Sequence, residues 1–78
     1  MDIHQLNLRQ AILYKMQGSD AAAVKDTIAD AVESGLEKTL PGLGVLFEVL
    51  WKNSDPGKQQ EMAREIANHL PKQVGSPL

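Results

Sequence analysis

Cysteine is absent from this 78-residue chain, which excludes disulfides and any thiolate zinc site. That absence suits a reducing compartment. Histidine occurs twice, at His4 and His69, and nothing in their spacing brings them together as metal ligands. Both are read as structural, His69 being favourably placed near a helix C-terminus. Charge of one sign is not in excess: ten acidic against eight basic residues give a net charge of -2. The basic residues are scattered from Arg9 to Lys72 without a cluster. Phosphate binding depends on several neutralising contacts at once, so nucleic acid is not the expected partner. Long apolar runs are also missing. The most apolar stretch, residues 40–53, falls short of the roughly 20 positions that span a bilayer and contains Glu48. No membrane association is expected. The opening "MDIHQLNLRQ" lacks a basic-then-apolar signal pattern, and the chain is read as soluble and intracellular.

A chain of this length forms one domain at most. It buries only roughly 60–65% of the surface exposed by its unfolded form. The core is therefore thin, and self-association or a partner would add stability.

The pattern predicts an all-α fold: a compact bundle of four short helices with a largely apolar third helix at its centre. The helices fall at about 7–17, 20–35, 41–53 and 56–70. Residues 1–70 make a single helical domain, and residues 71–78 are read as a disordered tail. In the first helix Leu6, Leu8, Ile12, Leu13 and Met16 share a face, and Gly18 is placed to stop it. The second takes Ser19 as its cap and Asp20 in its first turn. Ala21, Val24, Ile28, Ala31 and Val32 form its apolar stripe. Asp26, Asp30, Glu33 and, if the helix runs on, Glu37 form the opposite one. Gly35 ends or bends it. An extra turn over 36–39 follows, with Thr39 as a cap residue; Pro41 disfavours helical geometry at Leu40. The fourth helix opens on Asp55 as cap and Pro56 as first residue. Met62, Ala63, Ile66 and Leu70 share its face, and Pro71 stops it.

The segment "LPGLGVLFEVLWKN" at 40–53 carries most of the information. As a strand it would have no second strand to pair with. As a helix, Leu43, Val45, Leu46, Phe47, Val49, Leu50 and Trp51 cover most of the circumference. Glu48 and Lys52 fill the remaining wedge as an acid-to-base pair four residues apart. Such a helix must be surrounded. Either it is the core helix, or part of its face, with Phe47 and Trp51, stays open as a docking surface. Gly42 and Gly44 do not make a nucleotide loop. The dinucleotide fingerprint needs a third glycine where Phe47 stands, and a P-loop needs a Gly-Lys-Ser/Thr that is missing. Their expected role is a tight helix entry and close packing of the first turn. No cofactor or small-molecule substrate is expected.

Arg9 falls inside the apolar face of the first helix, between Leu13 and Met16. Its stem either lies along the core with the head in water, or it pairs with a carboxylate of this chain or of a partner. Arg9, Phe47 and Trp51 are thus the candidate interaction residues. No nucleophile-base grouping suggests catalysis, and the chain is not expected to be an enzyme. The acidic stripe lacks the spacing of a calcium loop and reads as a solvated face.

The block "DTIADAVESGLEKTLPGLGVLFEVLWKNSD", residues 26–55, resembles the small acid-soluble spore protein family of the I type, found in endospore-forming bacteria. The resemblance is carried by Asp26-Thr27-Ile28, Ser34-Gly35, Glu37-Lys38, Leu40 to Glu48 and Trp51, and upstream by Leu6 to Arg9 with Ala11. Leu36 and Thr39 depart from the family's glutamate and methionine, and the tail after Leu70 is longer. The resemblance implies a minor protein of the spore core, made in the forespore, and supplies no catalytic residues. The DNA-saturating spore proteins are a different family, and their binding residues do not carry over. The expected function is therefore non-enzymatic, through contacts with a second copy or another spore protein. The alternative is a small nucleic-acid-binding helical protein, in which the first two helices would mimic a helix-turn-helix. Its would-be recognition helix is acidic, which opposes phosphate.

Overall fold

The structure, a computed structural model, describes residues 7–73 and 75. His4, the Leu6 contribution to the first apolar face, and the tail reading at 74 and 76–78 lie outside the described residues. Among the described residues there are four helices, α1 (Leu8–Met16), α2 (Ala21–Ser34), α3 (Leu40–Lys52) and α4 (Pro56–His69), with a 3-10 turn at Glu37–Thr39 before α3. Residues 71–73 carry no helix or strand. The all-α class with four short helices is the expected one.

Each boundary has a local chemical cause. The side-chain oxygen of Asn7 accepts from the Gln10 amide at 2.7 Å, and the Gln10 side chain accepts from the Asn7 amide at 3.3 Å. This reciprocal box satisfies two of the amides that a helix start leaves without partners. Gly18, at φ 77°, turns the chain out of α1. The cap of α2 is Asp20 rather than Ser19. Asp20 is extended, with φ -84° and ψ 177°, which aims its carboxylate at the third helical amide, Ala23, at 2.8 Å. Gly35 closes α2 in the left-handed conformation, φ 61°, where a side chain would be strained.

Thr39 precedes α3 but does not cap it. Its hydroxyl donates to the Leu36 carbonyl at 2.7 Å instead. Leu40 is helical, φ -60° and ψ -43°, against the preference imposed by Pro41. The 3-10 turn accounts for this, because the Leu40 amide already donates to the Glu37 carbonyl. Asp55 caps α4 through the Lys58 amide at 2.8 Å, with Pro56 at the first position, where no amide is needed. Leu70, before Pro71, is extended.

The helices pack on α3: α1 lies against it, and α2 and the 3-10 turn also meet it. The wrapping expected for α3 is nevertheless incomplete. Val45, 7% exposed, is the buried hydrophobic residue among those described. Phe47, Val49, Leu50 and Trp51 are each at least 36% exposed. Thr27 and Ala31 of α2 border a hollow together with Pro41, Gly42 and Leu46 of α3. The α4 side chain of Gln59 reaches the end of α3, donating to the Trp51 carbonyl at 2.9 Å. The radius of gyration is 15.1 Å, against about 11.5 Å for a closed chain of this length. Of the two readings of α3, a fully wrapped core helix and one with Phe47 and Trp51 left open, the exposure of these two residues fits the second.

The glycines of α3 also differ from expectation. A Cβ built on Gly42 or Gly44 meets nothing within 4 Å. Close packing of the first turn is therefore not their role.

Candidate interaction surface

The three candidate residues sit on two elements. Arg9 is on the first turn of α1, while Phe47 and Trp51 are one helical turn apart on α3. Phe47 and Trp51 form an aromatic pair, with ring centroids 5.7 Å apart and planes tilted by 37°. Tilted, offset rings suit the aromatic quadrupole. The i, i+4 spacing on a regular helix is what lets the two rings meet. Both rings remain more than a third accessible. Together with Glu48 and Lys52 they line a shallow recess of about 220 Å³.

Arg9 makes the specific pair. Its Nε donates to both carboxylate oxygens of Glu48, at 3.0 and 2.9 Å. Its Nη2 donates to Oε1 at 2.7 Å. This forked geometry is what the planar guanidinium allows and an ammonium does not. The pair remains solvent-accessible, with side chains 55% and 34% exposed. The hydrogen bonds from Arg9 hold the Glu48 carboxyl below its ordinary value. The charges of Arg9 and Lys52 act in the same direction, and partial desolvation opposes them. The same hydrogen bonding raises Arg9. Glu48 was expected to pair with Lys52 along the helix. It gives its carboxylate to Arg9, because the fork offers several donors at short range.

Glu48 is thus the residue that the sequence reading missed as a site member. It borders the aromatic recess and also a second hollow shared with Arg9 and Val45. The three predicted residues are gathered around one carboxylate. Arg9 sits inside an apolar face of α1, and Glu48 is the only charge inside the apolar run of α3. Two opposite charges, each set in an apolar stripe, are the signal that could have paired them.

The remaining candidates do not converge. Asp26, Asp30 and Glu33 lie exposed on α2, while Glu37 is cut off from them in the 3-10 turn. His69 faces Glu65 at 3.4 Å across one exposed helical turn. Among the described residues no group of three or more His, Cys, Asp or Glu could hold a metal ion. No described helix is long and apolar enough to cross a membrane.

Residues 6–70 match the family described as "Small, acid-soluble spore protein I". A protein of that name from Shouchella clausii is 55% identical over 64 residues, covering 82% of this chain and 93% of the relative. Another from Halalkalibacterium halodurans is 52% identical over 64 residues, covering 82% and 94%. One from Bacillus cereus is 48% identical over 66 residues, covering 85% and 96%. No solved structure matches the chain.

Proposed function

The chain belongs to the small, acid-soluble spore protein I family, and we propose that it is a non-enzymatic constituent of the spore core that works through protein contacts. In this reading it is made in the forespore and stays in that compartment's cytoplasm. The observation that carries the reading is the uncovered part of α3. A helix apolar over most of its girth seeks cover, yet Phe47, Leu50 and Trp51 remain accessible within a single chain. Aromatic residues in a shallow apolar recess are typical anchors of protein contacts. The partner is a second copy or another spore protein. Nucleic acid has no comparable footing, since α2 exposes Asp26, Asp30 and Glu33.

Two measurements together test this reading. Sedimentation across a concentration series reports self-association. Capture from forespore extract, with the chain and its Phe47→Ala, Trp51→Ala double variant as baits, reports another partner. The expected result is association in one of them that the double variant loses. A strict monomer whose captured proteins are the same for both baits would contradict it.

A further inference from the structure

A groove of about 480 Å³ lies between α1, α2, the 3-10 turn and the start of α3. Leu8, Ile12 and Met16 form one wall, at successive turns of α1. Pro41 and Leu46 of α3 form another. Phe47 and Trp51 take no part in it. Gly42 is part of its lining, and a Cβ built there would meet nothing within 4 Å. The interior is apolar, and its volume lies in the range of small-molecule sites, about 300–1,000 Å³.

The charges in the lining are Lys15, from α1, and Lys38, from the 3-10 turn. Among the described residues no acidic side chain lines the groove. In a chain with net charge -2, two cations from separate elements line one largely apolar groove, with no acidic side chain beside them among the described residues. Among the described residues neither makes an ion pair, the pairs there being Arg9–Glu48 and Glu65–His69. We propose that the groove between Lys15 and Lys38 binds a single-chain amphipathic anion, with its alkyl chain on the Leu8–Ile12–Met16 wall and its carboxylate between the two ammonium groups.

The dimensions favour such a ligand over an acidic helix of a second copy. A helix with side chains is about 10–12 Å across, so one turn fills roughly 400–600 Å³. The groove would hold at most a single turn of such a helix. A single alkyl chain can lie along the apolar wall, and its one charge is matched by the lysines.

Titration of the full chain with decanoate, decanol and hexanoate, below micellar concentrations and followed by amide chemical shifts, tests the proposal. Decanoate should shift Ile12, Ala31 and Leu46 saturably, and bind about tenfold or more tightly than decanol. Hexanoate should bind more weakly because it covers less of the wall. A Lys15→Gln, Lys38→Gln double variant should reduce decanoate to the level of decanol. Added salt should weaken decanoate, but not decanol, on the unmodified chain, a readout independent of how that variant folds. Gly42→Leu should fill the groove and abolish both. The proposal is overturned by equal affinity for decanoate and decanol, by shifts centred on Phe47 and Trp51, or by no saturable binding. A dimer that Gly42→Leu dissolves would likewise overturn it, by giving the groove to a second copy.

Discussion

Arg9 and Glu48, 39 positions apart in the chain, are joined by three hydrogen bonds, the shortest 2.7 Å. This exposed pair links the start of α1 to the middle of α3. It also places a charge-matched fork beside the aromatic recess.

The pair makes stability depend on pH. The folded state holds Glu48 below its ordinary value of 4.5, so folding favours the ionised form. The contribution is present above the unfolded value and is lost as pH falls through the lower folded one. Glu48→Gln should therefore lower the urea midpoint near neutral pH. Its difference from the unmodified chain should shrink as pH falls below about 4.5. A difference that grows on acidification would contradict the pairing.

Val45 and Val49 offer the same chemistry at different depths, 7% and 43% exposed. Substitution by alanine brings the same helix-propensity gain at both. Burial should separate them: Val45→Ala should cost roughly 0.5–1 kcal/mol more than Val49→Ala in denaturant titrations. Equal costs would mean that α3 is wrapped by something this arrangement lacks.

Two glycines should respond to alanine with opposite signs. Gly35 sits at φ 61°, and Gly35→Ala should cost about 1 kcal/mol through left-handed strain. Gly44 is helical with open space at its Cβ position, and Gly44→Ala should gain about 0.5–1 kcal/mol. Thermal midpoints of the two variants should move in opposite directions.

The start of α2 provides a sharper local test. Asp20 accepts the Ala23 amide, and Ser19 is outside the helix. Asp20→Ala should cost about 1 kcal/mol, and Ser19→Ala much less. Chemical denaturation of the pair decides which residue is the cap.

These positions show what the sequence could convey. Helix existence was legible because period and stops are local: the Leu8–Ile12–Met16 stripe, Gly35, and Asp55 before Pro56 all act within a few residues. The Ser19/Asp20 ambiguity is one of backbone angle, and two adjacent good cap residues leave it open. The pairing of Arg9 with Glu48 was only half legible. An arginine inside an apolar face announces that it needs a partner, but contact across 39 positions depends on how α1 docks on α3. Incomplete wrapping of α3 was legible only as one of two readings, the one that left Phe47 and Trp51 open. Apolar girth states what a helix would prefer to bury, while cover depends on where short links hold its neighbours.

The central claim is that α3 of the single chain presents its aromatic pair to solvent, ready for a protein partner. Trp51 is the only tryptophan, so acrylamide quenching of its fluorescence in dilute solution reports that surface alone. The account predicts ready quenching and red-shifted emission in the monomer, reduced when a partner or a second copy is bound. Blue-shifted, quencher-resistant emission from a proven monomer would contradict it.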